Sequence, residues 1–398
     1  MVNDQVPQGM AANRSADLAR EVYGVMGIPV DVIEMSAVLR RIDSAVAGSA
    51  PFFISTSNLN FLVSSRSDTE FRESLLRSDL CTADGMPIVW IARLLGAPIK
   101  ERIAGSDIFE ALKSTQNTAR RLRVFLFGGA KGTAAAACAK LKNEVTGMIC
   151  SGSYDPGFCS VEEMSTDAIF ETINSSGANF LAAALGAKKG QAWLLRNHER
   201  LLIPVRVHLG ATINFQAGTL QRAPMRMRRW GLEWLWRIKE EPQLWGRYWN
   251  DGLVFLRLVL TQVLPFLILT RTLRSEWNKQ EVAPIVGWAE GSKTVILSIN
   301  GHLTAQNIGN AIPGFQNAVA TAKSVVVDFS NARLIDTRFF GLLLMLRKRL
   351  KEQQLDMHLT GVPPRIARLF RLNGFEFLLS AHAESAKEKL LMTADSQK

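Results

Sequence analysis

The sequence VFLFGGAKGT, residues 124–133, joins an apolar run to a glycine-rich turn, and the helical stretch Thr133–Val145 follows. Similar apolar runs recur along the chain, and between them lie helical patterns, among them Asp68–Arg77, Ile88–Leu95 and Ser106–Thr115. The predicted strands are Phe52–Thr56, Arg123–Phe127, Met148–Ser151, Asn179–Leu185 and Val205–Leu209. This alternation predicts an α/β fold with a mostly parallel sheet, in which ligands bind beyond the carboxyl ends of the strands.

The chain is long, apolar enough to fold, and basic. A hydrophobic content of 47% excludes a largely disordered chain. A length of 398 residues favours more than one domain. The formal net charge of +11 predicts an anionic partner: nucleic acid, a membrane surface or a phosphate-bearing substrate. Residues 220–275 hold ten Lys and Arg against four Asp and Glu, and five of the nine Trp. The positive charge is therefore concentrated in one aromatic-rich stretch.

An apolar segment adjoins this charge. Gly252–Thr270 is nineteen residues long with a single charge, Arg257. Basic residues flank both ends, so they give no orientation for a crossing, and Pro265 interrupts a straight helix. The neighbouring Trp and Arg favour a helix lying in the membrane interface, and the alternative is a buried helix of a soluble fold. Binding of nucleic acid by the basic stretch ranks third among the candidate functions, behind the two given below, because the adjoining apolar segment argues against it.

The composition shifts divide the chain into five parts. We predict a flexible N-terminus (1–25), an α/β domain with a mostly parallel sheet (26–219), a basic helical appendage that associates with membranes (220–275), a linker (276–291) and a small α/β domain (292–398). In this last domain the predicted strands are Thr294–Ile299, Ser324–Phe329 and Asp356–Leu359, and the predicted helices are Thr337–Lys351 and Arg365–Leu372.

The cysteines and the N-terminus bear on the compartment. Cys81, Cys138, Cys150 and Cys159 form no CxxC pair, which argues against a zinc site and against a disulfide scaffold. The first twenty residues lack the apolar core of a secretory signal. Both features favour the cytoplasm.

Three strand ends carry candidate chemistry. Asp84-Gly85 follows the apolar run Leu80–Ala83 and reads either as a catalytic base or as an ordinary turn. Residues 55–58 (STSN) either face the same cleft or cap the next helix. Residues 128–132 either bind phosphate at a helix N-terminus or form a simple strand-to-helix turn. No Asp-x-Asp motif occurs, so we expect neither a metal-bound diphosphate nor any cofactor.

The ordered set of motifs resembles the WecG/TagA/CpsF glycosyltransferase family over residues 25–250. The set comprises STSNLNFL (55–62), ADGMP (83–87), ERIAGSD (101–107), VFLFGG (124–129), GATINFQAG (210–218), RAP (222–224) and GLEWLWRIKEEP (231–242). The resemblance implies a Rossmann-like, inverting enzyme that moves a sugar from a UDP-sugar, typically UDP-N-acetylmannosamine or a related hexose, to a polyprenyl-diphosphate-linked acceptor. It places the enzyme peripherally at the cytoplasmic membrane face, in surface polysaccharide assembly.

The same resemblance assigns residues to roles. Asp84 matches the proposed catalytic base. The positions that match the family's substrate-binding motifs are Thr56, Asn58, Arg102, Gly128, Gly129, Arg222, Glu233, Arg237 and Arg247. Gln191 is also assigned to substrate, although residues 186–193 (GAKKGQAW) depart from the family's Gly-x-Pro-Lys-Gln-Glu and place Gly190 where Gln is expected. Asn214 stands where Asp is common, and Gln243 follows Glu241-Pro242 where the usual arginine pair begins.

Residues 292–385 resemble a STAS domain through VVVDFSNARLIDTRFFGLLL (325–344). Thr337 matches the family's phosphorylated position, and the favoured alternative is that it merely caps the following helix. Arg338-Phe339 replaces the usual Ser-Gly. We expect this module to dock a protein partner, and a homo-oligomer is among the expected assemblies. The alternative function is a catalytically silent scaffold that acts through this module.

Overall fold

The computed structural model describes residues 17–115, 121–277, 285–290 and 294–379. The chain divides into two compact units. One comprises residues 31–90 and 99–255, and the other comprises residues 17–30, 91–98 and the chain from 256 onward.

The strands are β1 (Val22–Val25), β2 (Ile28–Asp31), β3 (Phe52–Ser57), β4 (Leu80–Ala83), β5 (Leu122–Gly128), β6 (Met148–Tyr154), β7 (Phe180–Ala184), β8 (Val205–His208), β9 (Ile285–Glu290), β10 (Thr294–Leu303), β11 (Ser324–Ile335) and β12 (Met357–Thr360). The helices are α1 (Met35–Ala47), α2 (Leu59–Ser67), α3 (Thr69–Arg77), α4 (Met86–Leu94), α5 (Gly105–Lys113), α6 (Thr133–Asn143), α7 (Asp167–Ser175), α8 (Ala187–Arg196), α9 (Thr212–Ala217), α10 (Met225–Arg229), α11 (Glu233–Glu240), α12 (Trp245–Leu258), α13 (Leu264–Trp277), α14 (Ile312–Ala320), α15 (Thr337–Glu352) and α16 (Pro364–Leu372).

The first unit is built on a six-stranded parallel sheet in the order β4-β3-β8-β7-β5-β6. Side chains alternate along β5, so Val124 and Leu126 belong to one buried cluster and Phe125 and Phe127 to another. Burial on both faces is what a parallel sheet covered by helices requires. The predicted Rossmann-like α/β class is therefore confirmed, and each of its five predicted strands is present.

The second unit contains a four-stranded sheet in the order β12-β11-β10-β9. Strands β10, β11 and β12 are parallel, and β9 pairs antiparallel with β10. Strand β9 lies inside the range 276–291 that the sequence predicts to be a linker, so this range is not wholly linker. The rest of that range includes 278–284 and 291, which lie outside the described residues.

The N-terminal range 1–25, predicted to be flexible, contains β1. Met26 and Gly27 turn the chain into β2, both with a positive φ (50° and 94°). Two consecutive left-handed residues suit a tight hairpin between short strands. Residues 1–16 of the predicted flexible segment lie outside the described residues.

Helix α15 begins at Thr337, but Asp336 is its N-cap. The Asp336 carboxylate accepts hydrogen bonds from the backbone N–H groups of Arg338 (3.0 Å) and Phe339 (3.1 Å). The prediction that Thr337 caps the helix is therefore wrong by one residue. The carboxylate of Asp336 reaches the free N–H groups of the first turn, where a negative charge is also favourable.

One disulfide joins Cys138 on α6 to Cys150 on β6, with the two Cα atoms 5.2 Å apart. The sequence spacing had argued only against a disulfide scaffold, and it did not reveal this single bond. Helix α6 leads directly into β6, which brings the two cysteines together although they are twelve positions apart in the sequence.

The appendage is helical, as predicted. Helix α12 continues through a π-helical turn, Val259–Val263, into α13. Pro265 is the second residue of α13 and does not break the helix. A proline lacks the N–H that a regular helix would bond, and the wider π-helical turn immediately before it accommodates that loss.

Candidate active site

The candidate residues lie where parallel strands end at one edge of the six-stranded sheet. Asn58 follows β3, Asp84 follows β4 and Gly129 follows β5. The backbone N–H of Asp84 donates to the Ser57 carbonyl oxygen (2.8 Å), which ties the ends of β3 and β4 together. A carboxylate is thus held at the edge where α/β folds bind ligands.

Asp84 is partly enclosed and lies beside Arg102. Its side chain is 23% exposed, and one of its oxygens is 3.8 Å from Nη1 of Arg102, itself 13% exposed. Burial raises the pKa of the Asp84 carboxyl to about 7, an effect that Arg102 opposes and that the charges of Glu233 and Asp107 reinforce. The carboxyl therefore exchanges a proton near neutral pH.

Three arginines surround Asp107. Nη2 of Arg102 lies 2.8 Å from Oδ2 of Asp107, and Arg222 and Arg228 both reach Oδ1. Nη1 of Arg102 also binds Glu233 at 2.9 Å. We call these six residues the arginine–carboxylate cluster: Asp84, Arg102, Asp107, Arg222, Arg228 and Glu233. The structure thus brings together four residues assigned from the sequence, and it adds Asp107 and Arg228.

Of the two added residues, Asp107 could have been found from the sequence. It is the last residue of the quoted motif ERIAGSD, whose Arg102 was assigned a role. For Arg228 the sequence indicated only that it lies in the basic stretch 220–275. Which of its arginines turns inward depends on how α10 packs, and charge counting does not give that.

Thr56 and Asn58 occupy the end of β3. Thr56 is buried, and a Cβ atom at Gly105 would lie 3.3 Å from its Oγ1, so the start of α5 packs closely on it. The Asn58 side chain accepts the backbone N–H of Phe61 (3.1 Å) and caps α2. The capping alternative is therefore the observed one for Asn58.

The glycine turn after β5 is a tight connection. A Cβ atom at Gly128 would lie 2.7 Å from the Ala184 carbonyl oxygen, and the Gly129 N–H donates to that same oxygen (2.8 Å). The Gly132 N–H donates to Oδ2 of Asp155 (3.2 Å). Protein oxygens therefore already accept the N–H groups of Gly129 and Gly132, as in the strand-to-helix turn that the sequence left open.

Gln191 is buried on α8. Its Oε1 accepts from the Ser55 hydroxyl (3.2 Å), whereas its Nε2 has no hydrogen-bond partner within the described structure. The neighbouring Gly190 leaves room for the His208 ring: a Cβ atom there would lie 2.2 Å from Cδ2 of His208. His208 thus fills the space of the side chain that the family's Gln would have, a role that the sequence did not indicate.

Two appendage arginines stand apart from the cluster's contacts. Arg237 pairs with Glu241 on the next turn and lies over the Phe215 ring (5.7 Å). Arg247 is exposed and lies over Tyr248 (4.9 Å). Close by, Asp251 is buried and accepts a hydrogen bond from Asn60 (3.3 Å), a contact absent from the predicted site.

The appendage presents apolar side chains to the surroundings. By length and composition, the helical stretch Pro242–Arg274 could cross a membrane, and only 17% of its apolar window is buried. Large exposed side chains recur every three or four residues, and we call them the exposed apolar stripe: Trp245, Trp249, Leu253, Leu256, Leu260, Leu264 and Ile268. This exposure does not fit the alternative of a buried helix.

A protein metal centre needs several donor side chains close together. Within the described ranges, no group of three or more His, Cys, Asp or Glu side chains could hold a metal ion.

Family comparisons cover most of the chain. The model of the glycosyl transferase WecG/TagA/CpsF family matches residues 23–267, and that of the Mlab, STAS domain matches residues 286–380. A solved structure titled "Crystal Structure Analysis of Mglu" is 16% identical and covers 26% of this chain and 27% of its own, with a TM-score of 0.20, too slight a likeness to bear on function.

Two curated relatives carry the name N-acetylglucosaminyldiphosphoundecaprenol N-acetyl-beta-D-mannosaminyltransferase. The one from Bacillus spizizenii strain W23 is 27% identical over 195 residues, which are 49% of this chain and 74% of that protein. The one from Bacillus subtilis strain 168 is 27% identical over 196 residues, which are 49% of this chain and 73% of that protein. Since the first family match spans well over half of the chain and contains Asp84 with all its charged neighbours, the protein is a glycosyltransferase of the WecG/TagA/CpsF family with a STAS domain behind it.

Proposed function

We propose that the protein transfers N-acetylmannosamine or a related hexose from a UDP-sugar to a polyprenyl-diphosphate-linked acceptor, with inversion at the sugar. The observation that carries this proposal is the position of the Asp84 carboxyl at the end of β4, 3.8 Å from the guanidinium of Arg102. Burial raises the pKa of this carboxyl to about 7. The printed names of the two Bacillus relatives support a lipid-diphosphate acceptor and a mannosaminyl group.

Asp84 acts as the general base. The acceptor hydroxyl oxygen attacks the anomeric carbon, the bond from that carbon to the UDP oxygen breaks, and the hydroxyl proton passes to the Asp84 carboxylate. A base works best when its pKa is near the working pH, because it is then both ionised and a strong enough acceptor. Direct displacement at one carbon inverts its configuration.

The arginines stabilise the departing diphosphate. Guanidinium groups bind phosphate oxygens in pairs, and Arg102, Arg222 and Arg228 already converge on one carboxylate. Nε of Arg222 and Nη1 of Arg237 are buried without a hydrogen-bond partner within the described structure. A phosphate oxygen would satisfy such donors, whose unmade bonds cost stability in the empty protein.

The remaining assigned residues shape the donor side of the cleft. In the proposal Thr56 and Asn58 line the pocket beside Asp84, and Gln191 offers its unpartnered amide nitrogen. Gly128 and Gly129 keep the β5 turn free of side chains, and Arg247 on α12 lies at the side of the lipid carrier. No step in this scheme calls for a metal, because the arginines supply the positive charge.

The protein works as a peripheral enzyme at the cytoplasmic membrane face. The exposed apolar stripe enters the lipid interface, and exposed arginines of the appendage such as Arg247 and Arg257 bind lipid phosphates. In this proposal the stripe holds the enzyme at the membrane that carries its lipid-linked acceptor.

The decisive experiment is a transfer assay with a panel of UDP-sugars and a polyprenyl-diphosphate-linked N-acetylglucosamine acceptor. We expect turnover by the natural protein and a loss of at least about 100-fold in Asp84→Asn, the range typical of a general base. Asp167→Asn is the matched control, because Asp167 is an exposed side chain on α7 that pairs with Arg200. Full activity of Asp84→Asn would refute the mechanism. Absence of turnover by the natural protein with every donor would favour the silent scaffold.

A further inference from the structure

The long helix of the STAS-like module is covered along its length. Nearly every residue of α15 from Thr337 to Leu350 is buried, including the charged Arg338, Lys348 and Arg349. Part of the cover is strand β1, which belongs to the same compact unit. A Cβ atom at Gly341 would lie only 1.8 Å from the Val22 carbonyl oxygen, so the helix and the strand backbone are in direct contact there.

Arg338 fastens this contact. Its guanidinium donates to the carbonyl oxygens of Val22 and Arg20, both at 3.0 Å, and the residue is only 5% exposed. Arg338 is one of the two residues that replace the Ser-Gly expected of a STAS domain. The other, Phe339, lies edge-on against the buried rings of Phe315 and Phe329. The departure from the STAS pattern therefore supplies the contact to β1.

A second attachment lies just after α16. The Asn373 side chain accepts the Met26 N–H (2.8 Å) and donates to the Gly24 carbonyl oxygen (2.9 Å), and Asn373 is fully buried. The Asn373 amide thus bonds the hairpin backbone with one donor and one acceptor. Further along α15, Nζ of Lys348 lies 3.1 Å from Asp17, and both side chains are buried.

Thr337 is part of the same arrangement. Its hydroxyl donates to the Leu95 carbonyl oxygen (2.9 Å), and the residue is 1% exposed. Leu95 directly follows helix α4, which begins two residues after Asp84. The face on which a STAS domain was expected to receive a phosphate or a partner thus already binds this chain.

We propose that the STAS-like module docks in cis, using Arg338, Gly341, Asn373 and Thr337 as a docking face whose ligand is the chain's own β1–β2 hairpin and Leu95. The module is then a fixed part of the enzyme and does not recruit a second protein through this face. Thr337 accepts a phosphate only in molecules whose module has left the hairpin. This proposal does not depend on the identity of the sugar or the lipid acceptor.

Hydrogen–deuterium exchange on the full-length protein tests the docking. Arg338→Ala removes both bonds to the hairpin, and Gly341→Val forces the helix away from Val22. We expect the amides of residues 20–30 to exchange at least about tenfold faster in each variant, equivalent to about 1.4 kcal/mol in the opening equilibrium. Peptides from β5 and from β10–β11 should keep their protection, which shows that both sheets remain folded.

The matched control is Gly309→Ala, since a Cβ atom at Gly309 meets nothing within 4 Å. Unchanged exchange of residues 20–30 in both Arg338→Ala and Gly341→Val would overturn the proposal. Sedimentation of the natural protein over a range of concentrations adds a second criterion. If protection of residues 20–30 falls on dilution together with dissociation of a dimer, the module docks on another copy, and the proposal of docking in cis is wrong.

Discussion

At the scale of single residues, Asp84 should set the pH dependence of transfer. Only the ionised carboxylate takes a proton from the acceptor, and burial raises the pKa of this carboxyl to about 7. The value of kcat/KM, which reports groups of the free enzyme, should therefore be low in acid and rise as the pH passes through about 7. Initial rates across pH 5 to 9 measure this, and a flat profile below pH 7 would show that Asp84 is not the base.

The two charged neighbours of Asp84 should move this profile in opposite directions. Arg102 lowers the pKa of Asp84 and Glu233 raises it. We therefore expect Arg102→Ala to shift the rising limb by about one pH unit or more toward alkali and Glu233→Gln to shift it toward acid. The position of the limb is the readout, because both variants also lose rate: Arg102→Ala removes a group assigned to the diphosphate, and Glu233→Gln removes an ion-pair partner of Arg102. Shifts in the same direction would contradict this electrostatic arrangement.

The sequence could identify Asp84 and Arg102 as site residues, but it could not show why the pKa of Asp84 is raised. Asp-Gly after an apolar run is commonly a turn, so its position left a catalytic base and a turn open, and the family motif favoured the base. What raises its pKa is burial together with Glu233, which lies 149 positions along the chain from Asp84. Such contacts depend on the packing of α11 and have no local pattern in the sequence.

At the scale of elements, the exposed apolar stripe should determine membrane binding. Replacing Trp249, Leu253 and Leu256 together by Ser removes three large side chains from one face of α12. Full burial of one such side chain contributes about 1.5–3 kcal/mol, so binding to vesicles with anionic lipid should fall at least tenfold. Cosedimentation measures the bound fraction. Phe158→Ser is the control, because Phe158 is a fully exposed aromatic side chain outside the appendage. Equal losses in both would refute a specific stripe.

Strands were predicted well where an unbroken apolar run marks them and poorly where no such run exists. The unbroken apolar run VFLF (124–127) of β5 predicts a strand because both faces of β5 are covered. Strand β9 has no such pattern and forms through its antiparallel pairing with β10, so the sequence placed it in a linker. The continuous helix through Pro265 was missed for a similar reason, since a π-helical turn is not visible in hydropathy.

At the scale of the whole molecule, one compact unit is assembled from three separated stretches of chain. The division predicted from composition is contiguous, because composition changes only along the sequence. The bonds from Arg338 to Val22 and from Asn373 to Met26 span 316 and 347 positions. Polar side chains at such positions look like ordinary surface residues until the fold brings their partners to them.

A charge at Thr337 should therefore destabilise the unit that contains the STAS-like module. Thr337→Glu buries a carboxylate next to Asp336 and breaks the bond to Leu95, whereas Thr337→Ser keeps the hydroxyl. An unpaired buried charge costs about 3–5 kcal/mol, so we expect Thr337→Glu to lower the urea midpoint markedly and Thr337→Ser to stay close to the natural protein. A midpoint of Thr337→Glu equal to that of the natural protein would show that this side chain reaches solvent, and that a kinase could modify it without opening the molecule.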